Sequence, residues 1–241
     1  MDMPLDMQHQ AMGYDRTATM FSPEGTILQV EYANKSVRLG SASIGMVCSD
    51  GIFILADRRV KDKLVVQQSA NKIYEIDSHI IASAAGITSD ARVLIERAQV
   101  LAQQHRITYD SPIEPELIIK EICNIKQQFT QFGGARPFGV SMMLAGIKDK
   151  KPELYTSEAT GNYFSYYANA IGENDEKIKE NLREKYRPES NIRKGVKIAL
   201  EIFKEVQGKN FDLDRFELVY IKNEEGQLNR LTKSELDEFI K

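Results

Sequence analysis

The chain has few of the residues that build disulfide frameworks and metal centres. Its 241 residues include two cysteines, Cys48 and Cys123, and three histidines, His9, His79 and His105. Both cysteines stand among apolar neighbours, which is typical of reduced thiols in a protein core. The histidines are scattered and share no ligand spacing. We therefore expect neither a disulfide nor a metal site.

An excess of charge of one sign and long apolar runs are also lacking. The 32 basic and 35 acidic residues give a net charge of −3 and are well mixed along the chain, so nothing suggests a nucleic-acid or membrane surface. No apolar run reaches the length of a transmembrane helix, and the first residues lack the apolar core of a signal peptide. We expect a cytoplasmic protein with one large domain.

The first forty residues combine a tail, a turn and an amphipathic helix. Residues 1–13 contain four methionines, no lysine or arginine and no periodicity, as expected of a flexible terminal tail. The stretch Ser22-Pro23-Glu24-Gly25 suits a type I turn. Apolar residues then recur with a roughly helical period as far as Val37. The sequence therefore predicts a tail at 1–13 and a domain over 14–241.

The rest of the chain alternates strand-like and helical segments. A hairpin with Ser49-Asp50 at its turn is followed by two short strands and by two helices, the first of which opens at Thr88–Asp90. Further strands are predicted at 140–147, 153–156, 163–167 and 216–221, and further helices at about 173–185, 189–206 and 232–240. Strands, a helix pair, strands and a helix pair predict an α+β fold, a four-layer αββα sandwich.

Three spaced motifs near the N-terminus carry a family resemblance. They are YDR at 14–16, FSPEG at 21–25 and QVEYA at 29–33, and together they resemble the N-terminal signature of proteasome α-type subunits of the archaeal kind. The resemblance implies the αββα fold of the N-terminal-nucleophile hydrolases. It also implies a non-catalytic subunit of the 20S proteasome, a threonine-type endopeptidase complex that degrades proteins.

The resemblance implies a set of partners as well. Copies of such a subunit form outer heptameric rings, which stack on the β subunits that hydrolyse peptide bonds. The rings gate the channel through which unfolded protein substrates pass, and they dock an ATP-dependent unfoldase through the C-terminal tails of that activator. No cofactor, nucleic acid or membrane is implied.

Two sets of residues take their roles from this resemblance. The gate cluster, which in the family lies between neighbouring subunits, corresponds here to Tyr14, Asp15, Arg16, Pro23 and Tyr32. The loop that lines the family's channel corresponds to Phe132, Gly133, Gly134, Ala135, Arg136 and Pro137, which we call the pore loop. Its two glycines permit a tight backbone approach at a symmetry axis. From the residues alone, Gly-Gly followed by Arg-Pro is also an ordinary helix stop.

A third set corresponds to the family's pocket for the activator's C-terminus. Lys72, within the motif Asn71–Tyr74, would place its ammonium against the incoming carboxylate, with Gly86 and Ile87 as the wall beside it. The helix start after Ile87 would add free N–H donors. From the residues alone, a lysine at the start of a strand is as readily a solvated strand end.

The catalytic relatives suggest an alternative. They expose a terminal threonine behind a cleaved glycine and tune it with an aspartate and a lysine. This chain has Gly40-Ser41 at one strand start, Asp57 at a strand end and Lys72 at a third strand. The alternative is an active N-terminal-nucleophile peptidase that uses Ser41 after cleavage at Gly40.

Three features weigh against this alternative. The residue is serine and not threonine, the segment that cleavage would remove is the patterned α-type segment, and in α-type relatives this strand start is buried inside an uncleaved chain. In addition, no histidine lies near Ser41 in the sequence to act as a base. We therefore expect no catalytic residue in this chain. A further alternative is a free-standing binding module that forms no ring.

Overall fold

Two antiparallel sheets form the centre of the molecule. The structure is a computed structural model, and it describes residues 13, 16–59, 64–231 and 233–240. The strands are β1 Ser43–Cys48, β2 Gly51–Asp57, β3 Ile73–Asp77, β4 Ile80–Gly86, β5 Val140–Lys148, β6 Lys151–Ser157, β7 Tyr163–Ser165, β8 Ala168–Ile171, β9 Phe216–Lys222 and β10 Leu228–Leu231. The first sheet has the order β10-β9-β2-β1-β8 and the second has the order β3-β4-β5-β6-β7.

Helices cover the outer faces of both sheets. They are α1 Leu28–Leu39, α2 Thr88–Tyr109, α3 Pro115–Phe129, α4 Asp175–Lys185, α5 Ile192–Gln207 and α6 Lys233–Ile240. The pair α2 and α3 packs on the second sheet through one apolar core, and the pair α4 and α5 packs on the first sheet through another. A third core lies between the sheets. The predicted four-layer αββα sandwich is confirmed.

The strand β2 shows why the layers stack in this way. Every residue from Gly51 to Asp57 is buried, because helices cover one face of its sheet and the second sheet covers the other. The hairpin turn that was predicted at Ser49-Asp50 is present, with Cys48 paired to Gly51. The helix α1 lies against β4 and β5, where it buries Leu28, Val30 and Ala33.

The structure corrects the predicted strand at 163–167. The chain changes sheets there, so that β7 belongs to the second sheet and β8 to the first. Two adjacent residues make the change: the N–H of Tyr166 donates to the carbonyl of Leu154 at 2.8 Å, and the carbonyl of Tyr167 accepts from the N–H of Val47 at 2.8 Å. The strand β10 was not predicted.

Smaller predictions about the ends of elements have mixed outcomes. The turn at Ser22–Gly25 is present, with the N–H of Gly25 donating to the carbonyl of Ser22 at 2.9 Å. The helix α2 begins at Thr88, within the predicted opening at Thr88–Asp90, and its N-cap residue Ile87 supplies no side-chain hydrogen bond. Both cysteines are buried free thiols, as predicted. None of the helices in the described ranges has the length and apolar character needed to cross a bilayer.

Candidate functional site

Lys72, at the start of β3, forms hydrogen bonds through both its backbone N–H and its side-chain ammonium. Its backbone N–H donates to Oε2 of Glu217 at 2.8 Å, and Glu217 is itself buried and paired with Arg230. Its ammonium donates to the carbonyl oxygen of Ser41 and, at 2.6 Å, to Oγ of Ser41. The side chain is half-buried and does not extend from the strand end into bulk solvent.

A small cavity lies around this lysine. Its volume is about 220 Å³, and its walls come from the end of α1, from the approach to β3 and from the junction of β4 with α2. Ser41, Lys72, Gly86 and Thr88 are among the residues that line it. The predicted Lys72 and Gly86 therefore share one cavity. The backbone N–H of Ile87 is occupied, because it donates to the carbonyl of Gly139 at 2.9 Å.

Burial changes the charge behaviour of Lys72. Desolvation of the ammonium lowers the pKa of Lys72 from 10.5 to about 7, with Asp57 opposing this shift and Arg59 adding to it. Near neutral pH the cavity therefore holds a lysine that is only partly protonated. An anion beside the ammonium would favour its charged form.

Two glycines allow the backbones around the cavity to approach closely. Gly86 has a φ of +121°, and a Cβ there would meet the carbonyl oxygen of Gly139 at 2.1 Å. A Cβ on Gly40 would meet the nitrogen of Gly86 at 2.4 Å. Neither position has room for a side chain. The end of α1 is thus packed directly on the cavity wall.

The structure brings together part of the catalytic alternative. Ser41 and Lys72 are in contact, so an amine does lie beside the hydroxyl, although the sequence showed no nearby base. Asp57 is buried and engaged elsewhere, since it accepts from Nε of Arg215 at 3.0 Å and from Nε2 of Gln207 at 2.9 Å. The nitrogen of Ser41 is a peptide amide in this chain, and the preceding Gly40 carbonyl accepts from the N–H of Glu173 at 2.8 Å.

The predicted gate cluster is only partly described. Tyr14 and Asp15 lie outside the described residues. Arg16 is exposed, and its N–H donates to the carbonyl of Gly13 at 3.1 Å. Pro23 is exposed in its turn, while Tyr32 is half-buried on α1 with the ammonium of Lys35 5.3 Å from its ring centroid. That these residues form one cluster stays a prediction.

The predicted pore loop follows α3. Phe132, Gly133 and Gly134 are exposed, and a Cβ added to either glycine would have no atom within 4 Å. The base of the loop is buried at Phe138, directly after Pro137. The loop tip thus projects from the surface, and Gly134 takes a φ of +86° that favours glycine.

Asp90, in the first turn of α2, holds the base of this loop, and no role was predicted for it there. Its carboxylate accepts from Nη1 and Nη2 of Arg136, each at 2.7 Å, and from the backbone N–H of Gly139 at 2.9 Å. The hydrogen bonds from Arg136 keep the pKa of Asp90 below its usual range, with burial opposing them. The sequence signal was an acidic residue in a first helical turn, which also suits the helix dipole alone.

Lys126 is a second buried group that sequence reasoning missed. It lies on the apolar stripe of α3, is fully buried, and donates to the carbonyl of Val140 at 2.9 Å, Oγ of Ser157 at 2.7 Å and the carbonyl of Glu158 at 3.1 Å. Burial lowers the pKa of Lys126 to about 8. The available signal was a lysine four residues after the core residue Ile122.

Comparisons with known proteins cover nearly the whole chain. A family model for proteasome subunits matches residues 37–221, and a second model, for the N-terminal signature of the A-type proteasome subunits, matches residues 14–35. The chain is 38% identical over 230 residues to the proteasome alpha subunit of Methanosarcina acetivorans, which covers 95% of this chain and 93% of the relative. It is 40% identical over 234 residues to that of Archaeoglobus fulgidus, covering 95% and 93%, and 38% identical over 228 residues to that of Pyrococcus abyssi, covering 95% and 87%.

Proposed function

The chain belongs to the proteasome subunit family and carries the N-terminal signature of its A-type subunits, and we propose that it is a non-catalytic α subunit that forms the outer ring of a 20S core particle. Seven copies would form each ring and stack on a ring of β subunits in the cytoplasm. The ring would admit unfolded proteins through its channel and dock an ATP-dependent unfoldase.

The cavity at Lys72 is the observation that carries this proposal. It presents a half-buried ammonium in about 220 Å³ of space, beside a wall that includes Gly86. A C-terminal carboxylate of the unfoldase would replace the Ser41 carbonyl as the partner of the ammonium. Such a charge-assisted contact is stronger than the neutral one that it replaces. Ile87 is not among the residues that line the cavity, and its N–H is already donated to Gly139, so it would support the wall from behind and would not contact the carboxylate.

Ser41 lies inside the chain and not at its N-terminus, which supports a non-catalytic role. A terminal nucleophile needs a free amine, and here α1 precedes Ser41 and buries three of its apolar residues against the second sheet. Cleavage at Gly40 would remove that packing. The partner β subunits would then supply the hydrolysis. The 2.6 Å contact between Oγ of Ser41 and the Lys72 ammonium nevertheless favours the peptidase as the second candidate.

The entrance to the channel is the second part of the proposal. Residues 1–13 would act as the gate, with the cluster of Tyr14, Asp15, Arg16, Pro23 and Tyr32 supporting the tail between neighbouring subunits. The pore loop would line the channel, and its exposed glycine tip suits a crowded symmetry axis.

Intact mass and co-assembly test the proposal together. The chain should be purified alone and with its partner β subunit, weighed by mass spectrometry, and assayed for hydrolysis of a short fluorogenic peptide. We expect an uncleaved chain that is inactive alone and an active particle when both chains are present. Loss of residues 1–40 with activity in the chain alone would favour the Ser41 peptidase. A chain that stays monomeric with its β partner would contradict the ring.

A further inference from the structure

The pore loop is fastened at its base by one buried carboxylate. Asp90 is 9% exposed at its side chain, and it accepts both terminal nitrogens of Arg136 and the N–H of Gly139. A bidentate guanidinium–carboxylate pair fixes direction as well as distance. Because Arg136 lies inside the loop and Gly139 just after it, one side chain on α2 holds two successive parts of the same segment.

Other contacts close the stem of the loop. Lys126, near the end of α3, donates to the carbonyl of Val140, the first residue of β5. The rings of Phe129 and Phe138 pack with their centroids 4.7 Å apart. These contacts join the end of α3 to the start of β5, on either side of the pore loop. Asp90 differs from them because it binds Arg136, which lies within the loop. A Cβ added at Gly133 or Gly134, at the tip, would meet open space.

The same helix start forms the wall of the Lys72 cavity. Gly86 and Thr88 line that cavity, and Ile87 donates to the carbonyl of Gly139, whose N–H donates to Asp90. The loop and the cavity wall therefore share Gly139. The hydrogen bond between Ile87 and Gly139 connects the two backbones directly. A displacement of the loop base would therefore also displace the cavity wall.

We propose that Asp90 is a positioning residue that holds the pore loop in one conformation through Arg136 and Gly139 and thereby sets the thickness of polypeptide that the entrance admits. This inference rests on the proposed function, in which the loop lines the channel. A loop that is held at its base presents a constriction of fixed width. Once released, the exposed tip can move aside for a thicker substrate.

The first test measures the loop itself. A nitroxide attached to a Gly133→Cys variant reports the motion of the tip in the assembled particle. The native Cys48 and Cys123 should stay unlabelled, because both are buried and burial raises their pKa values to about 12 and about 11. We expect an ordered label, and a clearly more mobile label when Asp90→Asn is added.

A matched control lies on the same helix. Arg92 is exposed and pairs with Glu96, on its own helix, at 3.0 Å, so Arg92→Gln should leave the label ordered. Arg136→Lys keeps the positive charge but loses the bidentate geometry and should give intermediate mobility. Equal label mobility in the Asp90→Asn and parent particles would overturn the inference.

The second test measures entry. Particles that lack residues 2–12, so that the tail does not limit entry, are given a linear peptide and the same peptide closed into a loop by a disulfide. The Asp90→Asn particle should hydrolyse the looped peptide measurably faster relative to the linear one, because a loop released at its base leaves room for the thicker substrate. An unchanged ratio in particles of normal size would contradict the inference.

A third variant separates this inference from the proposed function. Gly133→Trp adds bulk at a tip with open space around it, so the fold tolerates it. If the loop lines the channel, this variant slows hydrolysis of both peptides. If it slows neither, the assignment of the loop to the channel is wrong, and the proposed effect of Asp90 on entry fails with it. The label still shows whether Asp90 holds the loop.

Discussion

Docking at Lys72 should weaken as the pH rises through neutrality. The perturbation is a change of buffer from about pH 6 to about pH 8, and the binding partner is a fluorescent peptide with a free C-terminal carboxylate. Burial in the cavity lowers the pKa of Lys72 to about 7. The peptide carboxylate stays ionised throughout this range. The titrating group is therefore the lysine, and only its charged form makes the proposed pair.

The size of the effect follows from the charged fraction of the free cavity. With a pKa of about 7, about nine in ten lysines are charged at about pH 6 and about one in ten at about pH 8. Binding that requires the ammonium should weaken about tenfold for each cavity, because the complex must take up a proton at the higher pH. An activator whose tails engage several cavities of one ring should show a larger loss.

Fluorescence anisotropy of the peptide on the assembled particle measures this dependence. Lys72→Arg provides the control, because its guanidinium stays charged over this range; its binding should be weaker and independent of pH. The same peptide with an amidated C-terminus should bind weakly at every pH. Equal affinity of the parent particle at both pH values would show that the peptide carboxylate does not pair with an ammonium that titrates in this range.

Three further results are expected. Lys126→Met should lower the free energy of unfolding by about 2–4 kcal/mol, since it leaves buried acceptors without a donor. Denaturant titrations should show that the parent gains stability as the pH rises from about 8 towards 10.5 and that the variant does not. In this range the unfolded parent chain still binds a proton that native Lys126 has released, so raising the pH destabilises the unfolded state relative to the native one. Gly86→Ala should cost about 2–5 kcal/mol in thermal unfolding through its positive φ and a carbonyl oxygen 2.1 Å from the new Cβ, whereas Gly133→Ala should be close to neutral. Deletion of residues 1–35 should abolish rings in negative-stain images and deletion of 1–12 should not, because α1 would be lost only in the first case.

Local patterns were enough to predict the layers of the fold. A strand buried on both faces is nearly continuous in apolar residues, as β2 is from Gly51 to Asp57. The alternation of strands with helix pairs then limits the arrangement to few possibilities. The chain's change of sheet at Tyr166 and Tyr167 could not be predicted from the sequence, because the local pattern around these residues is that of a single strand. The two residues differ only in their hydrogen-bond partners, which are Leu154 in one sheet and Val47 in the other.

Some residues of the candidate site could likewise be predicted from the sequence and others could not. Family motifs pointed to Lys72 and Gly86, and the structure places both at one cavity. Asp90 was missed because its partner Arg136 is 46 residues away, and such pairings leave no mark in a single sequence. Lys126 was missed because a lysine on a helical stripe is usually at its margin, and only the packed structure shows the three oxygens around its ammonium.

The response of a Lys72→Ala particle to the unfoldase shows whether the cavity at Lys72 is the docking site. Hydrolysis of a short peptide should be measured with and without the unfoldase or a peptide ending in its C-terminal residues, with exposed Lys209→Ala as the matched control. We expect normal basal hydrolysis, because the chemistry belongs to the β subunits, and stimulation that requires about tenfold to hundredfold more activator. Full stimulation of Lys72→Ala at the usual activator concentration would show that the cavity is not the docking site.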